Sequence, residues 1–167
     1  MGNVKRLERQ TPAKKKLLAV AEFRHHLRAF LRFSEVAAES AGLRSQQYQL
    51  LQVVAAAPED EAPTIAYVAN RLFLRHNSVV ELVDRTEQQG LLEREVDAND
   101  HRKILLRLTR RGQELLTSLV VVHMEQLKQW GPEMIDVLRR VTGEANGAAA
   151  QIKPASRNGV AGEGGAQ

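Results

Sequence analysis

The stretch HNSVVELVDRTEQQGLLEREVDANDHRKILLRLTRRG, residues 76–112, changes its hydrophobic period twice. From His76 to Gln89 the apolar residues return at three- and four-residue steps, the mark of a helix with one buried face, and Gly90 closes it at the C′ position. Residues 92–96 and 104–108 then alternate as half-buried strands around a polar turn, 97–103. Thr109 caps a second helical pattern, with Gly112 three residues on. Upstream, Thr64 caps a short helix over 65–72, and Phe-Leu-Arg (73–75) leaves only a tight connection to His76. Short helix, three-residue turn, second helix and hairpin make a winged helix-turn-helix, whose second helix fits a DNA major groove about 12 Å wide.

The faces of that second helix can be sorted. Val79, Leu82, Val83 and Thr86 form the inward stripe, while Asn77, Ser78, Glu81, Arg85 and Gln88 point outward. Arg75 and His76 stand at its positive N-terminal end. Base reading on such helices falls on the first two turns, so Arg75, His76, Asn77 and Ser78 are the candidates for bases or adjacent phosphates. Val80, between the faces, suits a thymine methyl. Glu81 is expected to pair with Arg85 four residues on, or to accept from a cytosine amino group.

With residues 76–89 in a major groove, the hairpin would project toward the neighbouring minor groove. Arg102 at its tip suits that place, being long, always charged and drawn by the negative potential of a narrow groove. Asp100 can hold the guanidinium, Asp97 can fix the turn through its own backbone, and Lys103 is placed for phosphate. The alternative for this turn is a solvated loop. A metal reading of Asp97, Asp100 and His101 fails on loose spacing and on the adjoining Arg102 and Lys103, which repel a cation.

Outward from the centre, Leu17, Val20, Phe23, Leu27, Phe30, Leu31, Phe33 and Val36 mark a long amphipathic helix from about 14 to 40, ended by Gly42. Its apolar side is too wide for one stripe, which suits two buried surfaces, one toward the domain and one toward a second subunit. Ser45 is the expected N-cap of a helix over 46–57, with Tyr48, Leu51, Val54 and Ala55 inward. The helix opened by Thr109 is expected to run to about 129 and break at Trp-Gly-Pro (130–132), with a last helix over 133–142. His25 and His26 are adjacent, so they leave a helix in different directions and lack the spacing of a metal pair. Tyr48 and Trp130 read as packing residues.

The net charge of +4 is unevenly placed. Residues 1–16 hold six bases against Glu8, whereas 17–142 are close to neutral, so a nucleic-acid reading rests on local placement of charge. Residues 1–13 read as a flexible basic arm, either solvated or laid across phosphates beside a bound site. Residues 143–167, rich in Gly, Ala and Asn, read as a disordered tail. There is no cysteine, which removes disulfides and thiolate metal sites, and no apolar run near 18 residues, so no membrane partner is expected. A cytoplasmic protein is the expectation. No Ser–His–Asp arrangement or Gly-rich phosphate loop stands out; the reading calls for no cofactor and no enzyme.

The wing carries a specific likeness. GLLEREVDANDHRKILLRLTRRG (90–112) resembles the MarR family of bacterial transcription regulators, whose wing reads D-x-R-x-x-x-L-x-L-T-x-x-G. Asp100, Arg102, Leu106, Leu108, Thr109 and Gly112 fill every fixed place, and residues 77–94 are similar to the family's recognition helix and following strand. The resemblance spans roughly 17–142. It implies an obligate homodimer joined by the first and last helices (14–40 and 110–142), a pseudo-palindromic site on double-stranded DNA, most often repression, and a small-molecule effector pocket between the dimer region and the DNA-reading part. Two positions depart from the pattern. Thr86 stands where leucine is usual, its hydroxyl expected on the Leu82 carbonyl, and Arg75 stands where Ser or Thr usually caps. The expected architecture is mainly α (α+β): an arm (1–13), a winged helix-turn-helix domain with long dimerisation helices (14–142) and a tail. A winged helix can also serve as a protein-binding adaptor without DNA contact, and that reading stays open at this point.

Overall fold

The computed structural model describes residues 11–98 and 100–143. Most of the basic arm and nearly all of the tail expected from the sequence lie outside the described residues. Five helices and one hairpin follow in the order α1 (Pro12–Ser40), α2 (Ser45–Ala55), α3 (Ile65–Leu72), α4 (His76–Gln88), β1 (Leu92–Val96), β2 (Ile104–Leu108) and α5 (Arg110–Thr142). This is the winged helix-turn-helix between long terminal helices.

α1 starts two residues before the expected position. Thr11 is its cap, the Oγ1 accepting from the Lys14 amide at 3.3 Å, and Pro12 occupies a first-turn position where its missing N–H costs nothing. α2 corrects the sequence reading at both ends. Arg44, not Ser45, is the cap residue, and the Gln47 carboxamide oxygen accepts from the Arg44 amide at 3.0 Å. The helix stops at Ala55, which is exposed; Leu50 is buried instead, beside Tyr48, Leu51 and Val54. The steps 47, 50, 51 and 54 lie on one face, and Ala55 falls off its edge.

The lobe formed by α2, α3, α4 and the hairpin holds most of the core. Leu50, Leu51, Val68, Val79, Leu82, Val83, Leu92 and Leu106 are all buried in one cluster. The hairpin is antiparallel, with Leu92 opposite Leu108 and Val96 opposite Ile104. It is tied to the loop before α3, where the Leu106 amide donates to the Pro63 carbonyl at 2.9 Å.

α5 departs most from the sequence reading. It runs unbroken through Gly131 and Pro132, where a break was expected. Proline in a helix interior removes one hydrogen bond and crowds the carbonyl four residues back, a cost of about 3 kcal/mol. Packing on both sides of the proline holds the helix together: Trp130 meets Phe33 of α1 edge-on at 5.9 Å, and Val137 beyond it is buried. α1 and α5 lie antiparallel along this contact. Between them His123 is buried, its Nδ1 donating to the Leu119 carbonyl at 2.7 Å and its Nε2 accepting from Ser34 Oγ at 2.9 Å. The Tyr48 ring of α2 lies 4.8 Å away, and burial pushes its phenol above the ordinary tyrosine pKa.

Candidate nucleic-acid interface

α4 places its residues as its periodicity requires. Val79, Leu82, Val83 and Thr86 are buried, and the Thr86 hydroxyl donates to the Leu82 carbonyl at 2.7 Å, so a polar atom sits in the core without an unmet bond. Arg75, His76, Asn77, Ser78, Glu81, Arg85 and Gln88 are exposed, and Val80 is half-buried between the two faces. Arg75 is the N-cap residue and makes no side-chain cap bond. The N–H groups of the first turn therefore point outward unused, at the positive end of the helix.

Among the described residues, the side chains of Arg75, His76, Asn77 and Ser78 make no hydrogen bond or ion pair, so they stand free on one exposed surface. Glu81 and Arg85 do not pair with each other, contrary to the expectation from their spacing. Both are exposed, and a gain of about 0.2–0.5 kcal/mol from such a pair hardly offsets the rotamer freedom lost in making it.

The other end of α4 is closed by backbone geometry. Gly90 takes a φ of 67°, its amide donates to the Glu87 carbonyl at 2.8 Å, and the Leu91 amide reaches back to the Thr86 carbonyl at 3.2 Å. This paired bonding turns the chain sharply into β1.

The wing tip is organised by its two acids. Asp97 Oδ1 accepts from the Asp100 amide at 3.1 Å, and the Lys103 amide donates to the Asp100 carbonyl at 2.8 Å. Asp100 Oδ1 accepts from both the amide and the Nε of Arg102, each at 3.2 Å, while Lys103 Nζ stands 3.9 Å from Oδ2. One carboxylate thus aligns two cations, yet the Arg102 side chain remains 92% exposed. The guanidinium is oriented at its base and free at its tip.

A second set of residues was missed by the sequence reading. Arg94 of β1 bonds both Asp84 and Glu87 of α4, with its Nη2 2.5 Å from Asp84 Oδ1, and its amide donates to Glu87 Oε1 at 3.3 Å. This clamp fixes the angle between α4 and the wing. Its signal was present: alternation puts Arg94 on the same strand face as buried Leu92, an inward place for a cation, opposite two acids spaced three apart.

The Thr-x-x-Gly step has its own physical reason. Thr109 Oγ1 accepts from the Gly112 amide at 3.1 Å and donates to the Gly90 carbonyl at 2.7 Å. A Cβ on Gly112 would lie 1.9 Å from the Leu91 carbonyl oxygen, so only glycine lets α5 pass this close to the end of α4. The joint between the lobe and the long helix is built from these two residues.

A further feature is an apolar cavity of about 390 Å³ between α1 and α5, lined by Phe33, Val36, Ala37, Ser40, Ala41, Ser118, Leu119 and Val122.

Known proteins share this arrangement. A sequence model of the MarR family matches residues 41–103, which run from the end of α1 through α2, α3, α4 and β1 to the wing tip. A Thauera aromatica protein whose name refers to transcriptional regulation of the hcr operon is 26% identical over 116 residues, covering 70% of this chain and 68% of that one. Among solved structures, a variant of S. aureus MepR bound to an oligodeoxyribonucleotide matches with a TM-score of 0.55 at 22% identity, over 72% of this chain and 93% of that one. CouR from Rhodococcus jostii RHA1, bound to p-coumaroyl-CoA, matches with a TM-score of 0.56 at 23% identity, over 72% and 88%. The family match falls on the lobe that carries the exposed helix face and the wing, and the fold extends the likeness into the long helices. Residues 41–103 thus match the MarR family model, and the chain shares the winged helix-turn-helix fold of these solved structures.

Proposed function

We propose that the chain works as a homodimeric repressor that reads a pseudo-palindromic duplex through paired copies of α4 and grips the flanking minor grooves with Arg102. The observation that carries this reading is the free, exposed surface formed by Arg75, His76, Asn77 and Ser78 beside an uncapped helix start, with Arg102 held outward by Asp100. Glu81 and Val80 would complete the reading helix, and Lys103 would meet phosphate. Asp97 supports the turn from below.

Support for two copies comes from the long helices. Leu17, Val20, Leu27 and Leu31 of α1 and Val120, Met124, Leu127, Ile135 and Leu138 of α5 recur at helical spacing and are exposed in the single chain. Apolar stripes of this extent suit a mate of the same kind. Dimerisation would set the two recognition helices about 34 Å apart, to match successive major grooves.

The apolar cavity between α1 and α5 is suited to a small hydrophobic effector. A molecule there would release DNA only through its preference for one spacing of the reading helices over another. Moving a 1:99 population to 99:1 requires about 5.5 kcal/mol of such preference. This role contains no catalytic step, and its setting is the cytoplasm.

Arg102→Ala tests the proposal by titration against a duplex selected from a random pool. Affinity is expected to fall by about 1–3 kcal/mol. Unchanged duplex binding would favour a protein-binding adaptor instead.

A further inference from the structure

Phe73 is unusual in two independent ways. It is 93% exposed, more than any other large apolar residue described, and it holds a φ of 55°, the only left-handed non-glycine among the described residues. The backbone needs that conformation: the Leu74 amide reaches the Ala69 carbonyl at 3.0 Å and the Phe73 amide the Asn70 carbonyl at 3.4 Å, which ends α3 and turns the chain into α4. Glycine or asparagine would adopt it with less strain, and the phenyl ring adds almost no packing in return. A residue that is strained and unburied at once points to a contact outside the chain.

The surroundings indicate which kind of contact. Residues 70–80 contain no acid, and Arg71, Arg75 and His76 are exposed along with Phe73. An apolar ring among cations, on the turn that leads into the reading helix, matches a surface that alternates phosphate with deoxyribose and thymine methyl groups. We propose that Phe73 packs on the apolar edge of the bound duplex beside α4, as a contact residue of the helix-turn-helix turn. The proposal rests on the duplex-reading role argued above.

Phe73→Asn and Phe73→Gly test it, since both suit a left-handed backbone. Titration uses a duplex selected by the wild-type protein, across a range of salt, with a second version in which uracil replaces thymine. Both variants are expected to bind about tenfold more weakly, the loss from uncovering much of one phenyl ring. Their thermal midpoints should be equal to or above that of the wild type, and their salt slope unchanged, because no charge is removed. Uracil should weaken wild-type binding about fourfold, and the variants less, where the ring meets a thymine methyl. An effect of the variants without an effect of uracil assigns the contact to deoxyribose. Affinity equal to wild type in both variants overturns the proposal. So does a weakened variant with a flatter salt slope, which would mean that the arginines had shifted instead. Failure of the wild type to bind any duplex would overturn the duplex-reading role and this contact together.

Discussion

The reading lobe and the pair of long helices treat their apolar residues in opposite ways. In the lobe, helical and strand alternation ends in burial: Val79, Leu82, Val83, Leu92 and Leu106 are covered by their own neighbours in the chain. Along α1 and α5 the inner faces meet around Phe33, His123 and Trp130, yet Leu17, Val121 and Met124 are more than half exposed. Exposure of a single leucine is ordinary, but a repeated stripe is not. The core of the lobe is complete in one chain. The long helices carry a second apolar surface that one chain leaves open, which is the division that the proposed dimer rests on.

The largest expected effect on the chain's own stability lies in the lobe. Leu82→Ala removes a buried side chain at the back of α4 and should cost about 2–5 kcal/mol in urea unfolding. A cost under 1 kcal/mol would mean that the lobe is not the self-sufficient core described.

The joint between the two regions should come next. Gly112→Ala places a methyl against the Leu91 carbonyl oxygen, which is backbone and cannot swing away. A loss of about 1–3 kcal/mol is expected, as for overpacking elsewhere. The same substitution at Gly131, where a Cβ meets nothing within 4 Å, should be neutral or slightly stabilising by helix propensity. Equal effects at the two glycines would remove the close-approach account of Thr-x-x-Gly.

The smallest effect on the single chain, and the sharpest test of the comparison, is on the open stripes. Leu27→Glu combined with Leu127→Glu should change the stability of the isolated chain by less than about 0.5 kcal/mol, since both positions are exposed. Sedimentation should nevertheless show half the wild-type mass, and the dependence of the thermal midpoint on protein concentration should disappear. Wild-type mass in the double variant would show that the stripes do not join two chains.

Much of the candidate interface was legible in the residues because it depends on short-range rules. The inward quartet of α4 follows from a 3.6-residue period, the Gly90 closure from the one residue that takes positive φ cheaply, and the strand limits from alternation around a polar turn. The failures share a cause. Ser45 looked like a cap by residue type, but Gln47 serves the helix start through a reach that includes a 2.9 Å bond to Gln89, which caps the end of α4. Glu81 and Arg85 had the spacing of a pair without the burial that would make pairing worthwhile. Arg94 was passed over because its partners lie seven and ten residues back along the chain and meet it only after the helix has turned into the strand.

What the sequence determined by itself was the order of elements as far as the start of α5, the inward face of α4 and the composition of the wing, since periodicity, capping and turn chemistry act within a few residues. Tertiary structure alone decided that α5 continues through Pro132, that Arg94 ties the wing to α4, and that Phe73 stands out on a strained turn. Each of these depends on which distant surface arrives beside a residue. Only packing settles that, because a contact such as Phe33 with Trp130 can outweigh a local preference that the neighbouring residues would otherwise enforce.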